Sequence, residues 1–185
     1  MKKIFFISCL FSILTGCYSI PTYNINAKFN EKEAEELLKP GKNTIKGEAF
    51  LRQLGGNVIT CAGYNVYLIP ATDYAQERMS VLYNSKEGGF NPVIHMIPFT
   101  DMSSVKSTNT YNFIPDETKY HQLNKSTICN ADGQFEFLNI ADGTFYITTT
   151  VFWIDLQNRP NGGALSKKIT ISNGKKQEII LTQPL

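Results

Sequence analysis

The chain has 185 residues, with 18 Lys and Arg, 16 Asp and Glu, and a formal net charge of +2. Lys2 and Lys3 lie in a segment expected to be removed, which leaves 16 basic residues against 16 acidic ones and a formally neutral remainder. Neutrality, without a basic stripe interleaved with aromatics, excludes nucleic acid as a partner.

Residues 1–17, MKKIFFISCLFSILTGC, place two lysines ahead of an apolar run from Ile4 to Leu14 and a small-residue junction. This is the pattern of an export signal, and the run falls short of the about 20 residues that a spanning helix needs. Leu14-Thr15-Gly16-Cys17 resembles the lipobox of bacterial lipoproteins. The resemblance implies cleavage before Cys17 and acylation of that residue, so that the mature chain begins at Cys17 and is held on a membrane by its acyl chains. Tyr18 follows, where lipoproteins retained in the inner membrane of enteric bacteria carry Asp, so the expected location is the outer membrane. Residues 18–29 are polar and aperiodic and read as a tether.

Asn30 and Glu33 have capping-box spacing, Ala34, Leu37 and Leu38 supply an apolar side, and Pro40-Gly41 ends a short helix. Strand alternation begins at Thr44, with Ile45, Gly47, Ala49 and Leu51 on one face. Gly55-Gly56 breaks the run before Val58-Ile59, and a second strand covers Asn65 to Ile69, ended by Pro70.

Ala71, Tyr74, Ala75, Arg78, Met79 and Leu82 have helical spacing, with Asp73 and Gln76 as candidate caps. Val93, Ile94, Met96, Ile97 and Phe99 read as one strand, and Tyr111 to Ile114 as another. Cys129 to Trp153 reads as a central hairpin: Phe135 and Phe137 alternate with polar neighbours, and Phe145, Ile147, Thr149, Val151 and Trp153 share a face. Asp132-Gly133 and Asp142-Gly143 supply turns, where Gly permits positive φ. Ile169 and Ile171, then Asn173-Gly174, then Ile179 and Leu181 predict a terminal hairpin.

Ile45-x-Gly47, Ala62-Gly63-x-x-Val66-x-Leu68, and Asp132-Gly133-x-Phe135-x-Phe137-x-x-Ile140-x-x-Gly143-x-Phe145-x-Ile147 together resemble the carboxypeptidase regulatory-like domain. The resemblance covers Thr44 to Ile69 and Ser126 to Leu181. It implies a mainly β, transthyretin-like (prealbumin-like) β-sandwich of about seven strands that serves as a non-catalytic module. The predicted organisation is a signal peptide over 1–16, a lipidated Cys, tether and helix over 17–43, and a sandwich domain over 44–185 with a helix-containing insertion at about 71–125. The insertion is longer than the family's spacing and can either cover a sheet edge or carry a binding surface. Phe90, Phe99, Tyr111, Phe113 and Tyr120 are its candidate contact residues, because aromatics dominate binding hot spots.

Once Cys9 leaves with the signal and Cys17 carries lipid, Cys61 and Cys129 remain. In an exported chain one remaining pair points to a disulfide, the alternative being two free buried thiols. No metal or cofactor is expected. The Ala-Asp-Gly repeats lack the ligand spacing of a calcium loop, and no Cys/His cluster suggests zinc. His95, His121, Ser126 and Ser166 have no catalytic context, and phosphate-loop, dinucleotide and G-x-S-x-G patterns are missing. The hydroxyisourate hydrolases of this fold end in Tyr-Arg-Gly-Ser, whereas this chain ends Leu181-Thr182-Gln183-Pro184-Leu185.

The expectation is therefore a lipid-anchored, non-enzymatic envelope module binding a protein or glycan. One alternative is a subunit of an envelope or secretion machine, by analogy of fold with the type VI secretion lipoprotein. The least favoured is a hydrolase with a distributed site.

Overall fold

The computed structural model describes residues 19–94 and 106–183, with the side chains of Ile94 and Lys106 also outside the description. Cys17, His95, Met96, Ile97 and Phe99 lie outside the described residues, and so does the part of the expected 93–99 strand beyond Ile94. In chain order the elements are β1 Thr22–Asn24, α1 Glu31–Leu37, β2 Pro40–Arg52, β3 Val58–Thr60, β4 Asn65–Pro70, α2 Asp73–Tyr83 and β5 Gly88–Ile94. They continue with β6 Lys106–Ser107, β7 Asn112–Ile114, α3 Thr118–Gln122, β8 Lys125–Ile128, β9 Gln134–Ile140, β10 Gly143–Ile154, β11 Pro160–Ile171 and β12 Lys176–Leu181.

Two sheets face each other. One has six strands in the order β6-β5-β11-β10-β4-β8; the other has four, with β12 on one edge of β2 and both β9 and β3 on its other edge. The core between them follows from alternation. Phe145, Ile147 and Val151 of β10 point inward together with Val66 and Leu68 of β4, and all are fully buried. Ile45, Ala49 and Leu51 of β2, Phe135 and Phe137 of β9, and Ile179 and Leu181 of β12 close on them from the other sheet. Cys61, just after β3, and Cys129, just after β8, form a disulfide inside this core, with Cα atoms 5.8 Å apart and a sequence separation of 68. It ties the ends of strands from opposite sheets.

Neither expected hairpin forms. β9 pairs with β2, whereas β10 pairs with β11 and β4, so Asp142-Gly143 carries the chain from one sheet to the other. Likewise, Asn173-Gly174 does adopt positive φ (64° and 68°), but β12 leaves it to pair in parallel with β2. A period of two states which face is buried, and both a hairpin partner and a strand across the sandwich satisfy it. At both crossings stands Asn43, which is fully buried in β2. Its Nδ2 donates to the Ile140 carbonyl at 2.9 Å and to Asp142 Oδ1 at 2.9 Å, while its Oδ1 accepts from the Lys175 amide at 2.8 Å. Asp142 Oδ1 also accepts from the Asn173 amide at 3.1 Å, so both inter-sheet crossings are fastened to one point. Gly143 itself opens β10 without positive φ, unlike Gly133 at φ 79°.

The N-terminal segment is not a tether. Thr22–Asn24 pairs in parallel with Asn112–Ile114, and Ile25 is buried. The pattern is hidden because a three-residue strand has no measurable period. Helix α1 is capped as expected, Asn30 Oδ1 accepting from the Glu33 amide at 3.2 Å. For α2 the cap is Thr72 rather than Asp73: Thr72 Oγ1 accepts from the Ala75 amide at 3.3 Å, and Asp73 becomes the first helical residue, where its charge suits the helix N-terminus.

The insertion is part of the architecture. β5 pairs with β11 and β6 with β5, extending the larger sheet beyond an edge that β11 would otherwise present. α2 lies on the outer face of that sheet, where Met79 and Ala71 pack with Tyr146. Beside it sits a second core of Ile25, Tyr74, Ala75, Phe113 and Tyr120. The sheets hold six and four strands against the seven expected, in part because the insertion contributes β5 and β6.

Candidate functional site

At one end of the sandwich β2, β5, β10 and β12 finish, and β3 and β11 begin. Between them lies a cleft of about 1030 Å³ bounded by the loop after β2 and the loop after β10. The first loop, 53–57, is a tight connection in which the Gln53 amide donates to the Asn57 carbonyl at 2.8 Å and the Gly56 amide to the Gln53 carbonyl at 2.9 Å. Gly56 has φ 88°, a conformation that its missing Cβ allows.

The second loop, 155–159, is organised by its first residue. Asp155 Oδ1 accepts from the amides of Gln157 (3.0 Å) and Arg159 (2.9 Å), and Oδ2 accepts from Arg159 Nε at 2.8 Å, with Nη2 at ion-pair distance, 2.8 Å. Burial pushes this carboxyl up, but the hydrogen bonds from the Arg159 amide and guanidinium outweigh that and hold it below the usual carboxylate range. Arg159 Nη2 also reaches Gln157 Oε1 at 3.1 Å. The loop is thus closed by polar contacts among its own residues.

The walls combine two chemistries. Trp153 and Phe90 are half-buried against the sandwich core and line the cleft. Around them stand the amides of Gln53, Asn57, Gln157, Asn161 and Gln183. An apolar ring surface beside several neutral donors and acceptors suits a ligand with an apolar face and many hydroxyls. Leu54 and Leu156, at the tips of the two loops, are 111% and 101% exposed.

Of the expected contact residues that are described, Phe90 alone lines this cleft. Phe99 lies outside the described residues. Tyr111 is half-buried against the second core, and Phe113 and Tyr120, at 7% and 8% exposure, are interior. Their rings enclose a guanidinium: the Arg78 Cζ atom is 4.1 Å from the Phe113 ring centroid and 4.8 Å from that of Tyr120. Arg78 is buried, and its Nη1 donates to Asp116 Oδ1 at 2.6 Å and to the Tyr74 hydroxyl at 3.2 Å. Housing a buried cation between ring faces is a packing role. That corrects the expectation that Phe113 and Tyr120 form a contact surface.

His121 Nε2 lies 2.8 Å from Asp116 Oδ1 at the surface. Burial raises the Asp116 pKa, but hydrogen bonds from His121 and Arg78 and their charges lower it further, leaving it below the ordinary value. Ser126 is exposed on β8, whereas Ser166 is buried on β11. Among the described residues no group of three or more His, Cys, Asp or Glu could hold a metal ion. No described helix is long and apolar enough to cross a membrane.

Alternation places Trp153 on a strand face with Phe145, Ile147, Thr149 and Val151 but does not mark the two loops as a site. The available signal was the stretch Asp155 to Gly163, dense in Asn, Pro and Gly and beginning two residues after the single Trp of the chain.

No protein-family model matches the chain, and no curated protein matches it. Among solved structures, the chain is similar to a Pseudomonas aeruginosa protein described provisionally as carbohydrate binding. The TM-score is 0.63 at 21% identity, over 85% of this chain and 99% of that one. That likeness bears on the fold: a mainly β, sandwich-like domain shared along nearly the whole of the other chain.

Proposed function

We propose that this protein is a non-catalytic, glycan-binding β-sandwich, held by a lipid on Cys17 at the outer membrane of a bacterial envelope. The observation that carries the binding reading is the end cleft, where Trp153 and Phe90 offer ring surface beside five neutral amide side chains. A pyranose presents C–H groups on one face and hydroxyls at its rim, which is the complement of that wall. The provisional description of the Pseudomonas aeruginosa structure as carbohydrate binding supports the same reading.

The test is binding of the full-length lipoprotein in detergent micelles to immobilised polysaccharides. Trp153→Ala is expected to abolish retention while Tyr111→Ala, in the second core, leaves it unchanged. Equal retention of both variants would remove the cleft from the function. For the anchor, Cys17→Ser is expected to move the protein out of the detergent phase.

Leu54 and Leu156 favour a second reading, in which the loop tips contact a protein of an envelope assembly. Leu54→Ser with Leu156→Ser would then lose a cross-linked partner without changing polysaccharide retention.

A further inference from the structure

The lipid anchor has a short reach. Cys17 and Pro21 are four residues apart, and four extended residues span at most about 14 Å. Pro21 is already fixed to the domain, because its carbonyl accepts from the Asn112 amide at 2.9 Å, and the chain then enters the two-stranded ribbon of β1 and β7. The residues that follow are fastened in turn: Glu77 of α2 accepts from the amides of Asn26 at 3.0 Å and Ala27 at 2.8 Å. An acylated cysteine lies at the base of the headgroup layer, which takes up about 6 Å of the reach. What remains, about 8 Å, is less than the diameter of one helix, about 10 Å, so no second protein layer fits between the start of the ribbon and the lipid.

The surface of the ribbon suits that position. Alternation turns Tyr23 and Phe113 into the second core and leaves Thr22, Asn24, Asn112 and Ile114 exposed. The register sets Thr22 beside Asn112 and Asn24 beside Ile114, so all four share one face. None of them is charged, and Ile114 is 55% exposed. Asp116, just past β7, is paired with Arg78 and His121. Hydroxyl and amide groups can bond to the phosphate and ester oxygens of lipid, and their desolvation costs far less than that of a charge. On the inner side, Arg78 of α2 lies against Phe113 of the ribbon and Met79 packs with Tyr146 of the larger sheet, so α2 stands between ribbon and sheet.

Resting on the anchor at Cys17 proposed above, we infer that the outer face of this ribbon is a membrane-contact surface, held on the headgroups of a phospholipid bilayer by the short reach from Cys17. The larger sheet then faces the membrane through α2, and the smaller sheet faces away from it.

The test uses the full-length lipoprotein in phosphatidylcholine vesicles, with and without a nitroxide on the lipid headgroup. A fluorophore is attached through Asn24→Cys in the ribbon or, as the distant site, through Glu178→Cys on the outer face of the smaller sheet; Cys61 and Cys129 are consumed by their disulfide. The label at position 24 is expected to lose about half of its fluorescence to the headgroup nitroxide, and the label at position 178 to keep all of it. A Gly/Ser spacer of about 20 residues between Tyr18 and Ser19 adds about 25 Å of reach and should restore the signal at position 24. Circular dichroism checks that each variant is folded, and flotation that it stays with the vesicles. In protein that floats, loss at position 178 as large as at 24, no loss at either, or loss at 24 that survives the spacer overturns the inference and leaves the anchor standing. Failure to float overturns both.

Discussion

The chain contains two hydrophobic cores built on opposite principles. The sandwich core is aliphatic and phenylalanine-rich, supplied by long strands and closed by a disulfide. The second core is built from fragments: a three-residue strand from the N-terminal segment, another from the insertion, a five-residue helix and one side of α2. Three aromatic rings, Phe29, Tyr74 and Tyr120, meet edge to face there, and it encloses Arg78. A core of strands gains its order from repeated backbone pairing, so apolar side chains suffice. A core of fragments lacks that repetition and is fixed instead by directional contacts, namely ring edges, a guanidinium and hydrogen bonds to named atoms.

The comparison predicts different failures for the two. The largest effect belongs to the sandwich: Cys61→Ala with Cys129→Ala should lower stability by about 4 kcal/mol, because the unfolded chain loses a long covalent loop. Denaturant unfolding measures it, and a loss below 1 kcal/mol would show that the disulfide does not hold the sheets together. Next, Asn43→Ala should cost about 3 kcal/mol, since the Ile140 carbonyl and Lys175 amide are left without their partner at the two inter-sheet crossings. It should lower the whole transition rather than open one part.

Arg78→Ala should cost about 2 kcal/mol through lost ring contacts and the pair with Asp116, with Arg78→Met costing less because it refills the space. The sharper readout is hydrogen exchange. Amides of α2 and β7 should lose protection while those of β10 keep theirs. Uniform loss across both would mean the two cores unfold as one.

The smallest effect is a pH-dependent latch. Glu77 of α2 accepts from the amides of Asn26 (3.0 Å) and Ala27 (2.8 Å), from Asn26 Nδ2 (3.1 Å) and from the Tyr23 hydroxyl (3.3 Å), fastening the N-terminal segment to the helix. Burial raises its pKa, but these hydrogen bonds together lower it below the ordinary glutamate value. The sign follows: the contribution is complete above the ordinary value of about 4.3 and is lost as pH falls through the lower folded-state value. NMR shifts of the Asn26 and Ala27 amides should titrate together in that acidic window, and Glu77→Gln should make them flat.

The same contrast explains what could be read in advance. In β2, β9 and β10 the inward residues are visible from alternation, since a strand long enough to span a core repeats its pattern several times; Ile140 is the exception, displaced from the period by Asn139 at φ 56°. The caps of α1 and the pairing of Cys61 with Cys129 were legible for a similar reason: each depends on local chemistry or on a short inventory of partners. Thr22–Asn24 was not legible, because its burial is created by β7, about 90 residues away, and three residues carry no period. Phe113 and Tyr120 misled in another way. An aromatic in an insertion looks the same in sequence whether it faces solvent or encloses Arg78.

The sequence alone determined which strand faces are apolar, where turns fall, and the cysteine pair, since these follow from side-chain period, backbone freedom and composition. Only the tertiary structure decided which sheet each strand joins, with Asn43 and its three partners at both crossings, and which loops meet at the end cleft. Both are contacts between residues far apart in the chain, and period-two alternation is equally satisfied by a neighbour in the same sheet or one across the core.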